Sequence, residues 1–367
     1  MPRKSVAKFS VDYLQVLDEH GQVDAKLDPN LPADRLLEMY RWMRLARELD
    51  ERMLKLQRQG RLGTFPPNTG HEAVSVPVAM AMGPGDWFVG AFRETGGRLV
   101  RGEPLTSPLH YYNGWEEGNI LPDPALRIMP ISVVIGCQIP HAVGLAYASR
   151  HLKEDAVAVC FIGDGGTSEG DFHEGLNFAA VWKAPVVTIV QNNQWAISIP
   201  RSAQTASRTM AQKGVAFDIP CLQVDGNDPL AMWVAINEAL DHARSGKGPY
   251  LIEAVTYRLL MHTTADDPKK YRDDAEEKCA WEKEPLIRFG AYLRARGVWD
   301  DEKEGVLAAE VKDQVEQAVR AFETPHDWAD DTAFDHVYGT DHPHLHEQRA
   351  EFLANVRFDG GKEADHG

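Results

Sequence analysis

Apolar residues recur at helical spacing from 34 to 58, where Leu36, Met39, Tyr40, Met43, Leu49, Met53 and Leu56 stand between charges. The pattern predicts one long amphipathic helix. In the centre the period changes: 156–162, 185–190 and 250–257 are short β-branched or apolar runs that read as strands, and the helical stretches 139–152, 172–182 and 230–243 alternate with them. That order predicts a parallel sheet flanked by helices, an α/β fold. Residues 1–33 lack a sustained period, and Asp18-Glu19-His20-Gly21 reads as a turn between two short extended pieces of an arm. Beyond Pro285, 286–296 and 305–322 are helical and amphipathic, and a polar, histidine-bearing tail follows. The expected layout is an N-terminal arm over 1–33, an α/β domain over 34–300 and a helical segment with tail over 301–367.

With 43% apolar and 26% charged residues among 367, the chain has the composition of an ordinary globular protein with a sizeable core. Its 39 Lys+Arg against 55 Asp+Glu give a net charge of −16, which disfavours nucleic acid as a partner. The longest apolar runs fall well short of the ~20 residues of a membrane-spanning helix. The start, residues 1–9, carries Arg3, Lys4 and Lys8 with no apolar stretch behind them, so the expected location is cytoplasmic. Cys137, Cys160, Cys221 and Cys279 match neither a zinc pattern nor a disulfide framework and are expected to be reduced and buried. His342, His344 and His346 alternate around Pro343 in the tail, a pattern read as a solvated or docking segment rather than a metal site.

Two loops carry candidate chemistry. Residues 60–70 hold three glycines and two prolines, which break any helix and expose backbone amides, as suits a ligand edge or a plain connection. More informative is Gly163-Asp164-Gly165-Gly166-Thr167-Ser168, which joins a buried strand to a helix. Amides at a helix start favour phosphate, and Asp164 offers an oxygen to a hard cation. A dinucleotide turn would need glycine at position 168, where this chain has Ser168, and no Gly-Lys-Ser or Gly-Lys-Thr follows to make a P-loop. A tight strand-to-helix turn alone would read the same way. The second strand, however, ends at Gln191-Asn192-Asn193, so two strand ends face one site. Octahedral oxygen ligation of magnesium is then met by Asp164, Asn193 and the main-chain oxygen of Trp195, together with phosphate and water.

Gly-Asp-Gly followed about thirty positions later by Asn-Asn resembles the diphosphate-binding motif of thiamine diphosphate enzymes. The surrounding text, GDGGTSEGDFHEGLNFAAVWKAP and QNNQWAISIP, resembles the α subunit of the heterotetrameric first component (E1) of 2-oxo acid dehydrogenase complexes, from about Leu36 to Arg296. The resemblance implies a thiamine diphosphate-binding fold in which Asp164 and Asn193 ligate magnesium with the Trp195 carbonyl, and Gly163, Gly165 and Gly166 line the diphosphate. Ala91-Phe92-Arg93-Glu94-Thr95-Gly96 resembles the family's Y-R-x-x-G segment, which implies that Arg93 grips the diphosphate. Phe92 stands where the family has tyrosine, so a phenolic hydrogen bond to the cofactor is lost. Val133 and Ile135 match the segment that holds the aminopyrimidine and the thiazolium bend, although apolar residues before a helix equally fit a core. The family's active-site loop matches 257–268 and Tyr271-Arg272. It implies His262 as the residue that contacts the diphosphate and assists acyl transfer. Leu259-Leu260-Met261 before it imply a greasier entrance, and Thr263 and Thr264 stand near the phosphorylated serines of mammalian relatives. Thr64 and Phe65 match positions bordering the substrate channel.

In this family the glutamate that activates the cofactor comes from a second domain, and the about one hundred residues after His262 are too few for another α/β domain of ~150. The resemblance therefore implies a separate E1 β subunit, an α2β2 assembly, and transfer of the acyl group to the lipoyl domain of the second component, E2. The approach over 58–63 and Gln191 favour pyruvate as the 2-oxo acid. A branched-chain acid such as 3-methyl-2-oxobutanoate, acetoin chemistry, and a non-catalytic scaffold suggested by Phe92 are the alternatives.

Overall fold

The computed structural model describes residues 3–121, 123–325, 329–335 and 337–360. Six parallel strands form one sheet: β1 (Asp12–Leu14), β2 (Trp87–Val89), β3 (Ala158–Gly163), β4 (Val186–Asn192), β5 (Cys221–Asp225) and β6 (Tyr250–Val255), in the order β1-β5-β6-β4-β3-β2. β4 is buried along its whole length and β3 and β6 along all but their last residue. A strand covered on both faces reads as a continuous apolar run, which is why these three were legible. Among the described residues the helices of ten residues or more are α1 (Ala33–Arg58), α2 (Glu72–Ala81), α3 (Gln138–His151), α4 (Gly170–Trp182), α5 (Pro229–His242), α6 (Pro285–Ala295), α7 (Asp301–Phe322) and α8 (Pro343–Gly360). α3 and α4 lie together beside β3, and Val143, Ala146, Cys160, Phe172 and Leu176 share the core between them. The α/β expectation is met.

The arm is tied to the sheet rather than loose. β1 forms one edge of the sheet beside β5, and Asp228 anchors the backbone just beyond β1, its Oδ2 accepting the N–H groups of Val16 and Leu17 at 2.6 Å each. The other oxygen of Asp228 caps α5 by accepting from Leu230 and Ala231. α2 has no counterpart in the sequence reading, because EAVSVPVAMA is buried nearly all round and shows no polar face to set a period. β2 and β5 escaped for their shortness. Arg47 joins α1 to α2 and α6 through Glu72 (2.6 Å) and Glu284 (2.9 Å), all three side chains being buried.

One expectation needs correction. Of the four cysteines, all free, Cys160 is buried, Cys137 and Cys221 are partly so and Cys279 is exposed. The polar tail is helical over Pro343–Gly360. The chain forms two compact units, one up to Val319 and one from Arg320. In the second, Arg349 pairs with Asp331 (2.6 Å) and Asp335 (3.0 Å). No helix among the described residues is long and apolar enough to cross a membrane, and among them no three His, Cys, Asp or Glu side chains gather into a metal-holding group, the tail histidines included.

Candidate active site

The carboxyl ends of β3 and β4 open into a cavity of about 720 Å³, the usual ligand position in a parallel sheet. Gly163 pairs with Gln191 in register, so the turn after β3 and the segment after β4 meet side by side. A Cβ on Gly165 would stand 2.6 Å from the Ala196 Cβ, and one on Gly166 would stand 2.6 Å from Ile162 and 2.8 Å from Ile135. Only glycine fits this cradle. Asp164 between them is 1% exposed, and its Oδ2 has no hydrogen-bond partner. Burial pushes its carboxyl up to about 6.

Asn193 is buried just past β4. Its Oδ1 accepts from the Trp195 N–H at 3.3 Å, and its Nδ2 meets His71 Nε2 at 3.1 Å. The main-chain oxygen of Trp195 accepts from Arg258 Nη1 at 3.4 Å, at the long end of a hydrogen bond. Opposite lies Arg93, 5% exposed, which donates to the Pro67 carbonyl (2.5 Å), the His262 carbonyl (2.6 Å) and His262 Nδ1 (2.9 Å). None of these partners is a carboxylate. Burial and then the nearby Arg258 charge lower its guanidinium to about 10, against the weaker upward pull of Tyr112, Asp50 and Glu94. Because a guanidinium only donates, His262 Nδ1 is the acceptor and its ring proton sits on Nε2. Burial, then Arg93 and Arg258, push His262 down to about 4, so the ring is neutral at pH 7.

The loop carrying His262 is held by main-chain contacts. Arg272 donates to the carbonyls of Arg258, Leu259 and Leu260, and the Tyr271 hydroxyl, which accepts from Arg258, donates to Asp266. Asp266 in turn accepts from the His262 N–H at 2.8 Å. Phe65 is buried and bonded both ways to Thr264, while Thr64 and Thr263 line the cavity beside it. The greasy entrance expected from Leu259-Leu260-Met261 is not there: none of the three lines the cavity, and Leu259, 2% exposed, is tucked against Gly70. Phe92 is half-buried, its ring edge-on to His262 at 6.2 Å, with the Tyr112 hydroxyl donating to its carbonyl. Val133 and Ile135 belong to the rim rather than the core, at 59% and 38% exposure.

The structure thus brings Thr64, Phe65, Phe92, Arg93, Val133, Ile135, Gly163, Asp164, Gly165, Gly166, Asn193, Trp195 and His262 to one cavity. It adds residues that the sequence reading passed over. His71 is fully buried, its ring pushed down to about 3 by burial and then by Arg93. Buried Glu94 accepts from the Ala91 and Arg93 N–H groups and the Gln191 amide, and Gln191, whose buried Oε1 has no partner, lines the cavity. The available signal for His71 was its place directly after the Gly/Pro-rich loop. That loop is set by Asp50, which takes the N–H groups of Asn68 and Thr69, and by Glu72, which takes that of Gly70.

Fold and cavity together define an α/β protein with a ligand site at the carboxyl edge of a parallel sheet. The chain belongs to the family described as Dehydrogenase E1 component, which it matches over residues 40–327. It is 45% identical over 337 residues to a protein of Acholeplasma laidlawii named pyruvate dehydrogenase E1 component subunit alpha, covering 91% of this chain and 97% of the relative. Proteins of the same name from Staphylococcus aureus strain Mu50 and Staphylococcus epidermidis are 41% and 40% identical over 317 residues, 86% of this chain and 85% of each relative.

Proposed function

We propose that this chain is the cytoplasmic α subunit of a pyruvate dehydrogenase E1 component. With a β subunit it decarboxylates pyruvate oxidatively and passes the acetyl group to the lipoyl group of E2. The observation that carries the reading is identity of 40–45% over most of the chain to relatives of that name. Membership of the E1 family implies use of thiamine diphosphate.

The residues present fit that cofactor and a magnesium ion. The partnerless Asp164 oxygen, Asn193 Oδ1 and a free lone pair of the Trp195 carbonyl supply hard oxygen donors, and octahedral magnesium takes its other positions from diphosphate and water. The glycine cradle at 165–166 lets the diphosphate approach the backbone. Arg93 meets the diphosphate with a guanidinium hydrogen-bonded to carbonyls and an imidazole rather than to a carboxylate, and His262 offers its Nε2–H. When bound, the thiazolium carbon supplies the nucleophile and electron sink that decarboxylation requires. Val133 and Ile135 give the ring portion an apolar wall, Phe92 packs beside His262 without a hydroxyl to donate, and Thr64 with Phe65 borders the substrate's approach. The exposed apolar rim of Val133, Val134, Ile135, Ile197 and Ile199 supports closure by the β subunit.

The test is reduction of an artificial electron acceptor by the chain co-purified with its β subunit, given thiamine diphosphate and magnesium. Turnover with pyruvate that requires both chains is the expected result. A faster rate with 3-methyl-2-oxobutanoate or with acetoin would reassign the substrate, and no cofactor-dependent turnover with any of them would leave a scaffold subunit.

A further inference from the structure

His71 stands behind Asn193, away from any role the E1 reading assigns, and its hydrogen bonds decide which way that amide points. The ring is fully buried, with Nδ1 3.3 Å from the Asn68 carbonyl and Nε2 3.1 Å from Asn193 Nδ2. A carbonyl only accepts, so the ring proton must sit on Nδ1, and Nε2 presents a lone pair. A lone pair is met by an N–H, so the nitrogen of the Asn193 amide faces the imidazole and its oxygen faces the other way. A second contact fixes the same orientation independently, since the Trp195 N–H donates to Asn193 Oδ1. The flipped amide would set oxygen against the Nε2 lone pair and nitrogen against an N–H, with both pairs repelling. The placement of the ring is itself built in. Asn68 and Thr69 hang from Asp50, and Gly70 from Glu72, so the imidazole sits on a turn anchored by two buried carboxylates.

We propose that His71 is a positioning residue that locks the Asn193 amide with Oδ1 turned away from the imidazole, and so sets the affinity of the site for a divalent cation. The inference rests on the reading of Asp164 and Asn193 as cation ligands. Partners one shell behind a ligand commonly change metal affinity by 10–100-fold when they are removed. Glutamine carries one donor and one acceptor at similar reach and can replace both contacts of the imidazole. Methionine fills the space without a comparable acceptor.

The experiment titrates Mg2+ into the chain assembled with its β subunit in the presence of thiamine diphosphate and follows binding by tryptophan fluorescence, with Trp195 adjacent to the site. His71→Met is expected to raise the Mg2+ concentration for half-saturation by 10–100-fold, while His71→Gln stays within about threefold of the wild type. In an Asn193→Ala background, His71→Met is expected to change the half-saturation by less than about twofold, because the residue through which it acts is gone. Should His71→Met fail to assemble, His71→Asn, too short to reach Asn193, takes its place with the same expected loss. Wild-type Mg2+ dependence in His71→Met or His71→Asn, or equal impairment in His71→Gln, overturns the proposal alone. Wild-type Mg2+ dependence in Asn193→Ala and Asp164→Ala overturns the ligand reading beneath it.

Discussion

The floor and the rim of the cavity are built on opposite rules. On the floor, Asp164, Asn193, His71, Arg93 and Glu94 are each less than 10% exposed and are polar or charged, although burying such groups is costly. At the rim, Val133, Ile135 and Ile197 are 38–59% exposed and apolar, and Val134 and Ile199 next along the chain are exposed too, although exposing them gains nothing in water. Each region is wrong for an isolated folded chain. On the proposed function, an anion and a cation neutralise the floor, and a protein surface covers the rim.

The largest effect is expected at the floor. Asp164→Asn removes the buried carboxylate and should abolish Mg2+-dependent turnover of the assembled enzyme, by a factor on the order of 10³ or more. The same change should stabilise the metal-free protein. A carboxyl raised to about 6 from the ordinary 3.8 binds its proton more tightly folded than unfolded. Its contribution to stability is therefore complete below pH 3.8, falls as the pH rises through about 6, and above that leaves a penalty of about 3 kcal/mol at ~1.4 kcal/mol per pKa unit. Thermal melts without Mg2+ should show Asp164→Asn above the wild type at pH 7.5, with the gap closing toward pH 4. A variant no more stable than the wild type at pH 7.5 would mean the carboxylate is not strained by burial.

Next in size, Arg93→Met should weaken thiamine diphosphate binding by roughly 10²-fold, as expected for one charge-assisted contact to phosphate. Calorimetric titration of the assembled enzyme checks this, and a loss below threefold would remove Arg93 from the diphosphate site. The smallest effect on the chain itself belongs to the rim. Val134→Asp should change its melting free energy by no more than about 0.5 kcal/mol, since the side chain is 66% exposed, yet reduce co-purification of the β subunit. Unchanged assembly would place the interface elsewhere.

The central strands and helices were legible because burial on both faces, or on one stripe, leaves a period in the chain. The predicted helices over 139–152, 172–182 and 230–243 fall within two residues of Gln138–His151, Gly170–Trp182 and Pro229–His242. The helix Glu72–Ala81 was not legible, since a segment buried all round has no period to read. In the site, Asp164, Asn193 and Arg93 stood out through motif text. Glu94 and His71 did not, because their importance lies in contacts with residues 97 and 122 positions away. Leu259 shows the same divide. Its apolar character was plain, but its direction, into Gly70 instead of the cavity, follows from where the loop carbonyls are pinned by Arg272.

By itself the sequence determined the α/β class, the family and the residue types at the strand ends, because periodicity and short glycine turns are local properties. The tertiary structure decided which charges stay without partners, which way the Asn193 amide points, and which apolar residues face water. Those depend on distances between segments remote in sequence, and hydrogen-bond direction and burial exist only once the segments meet.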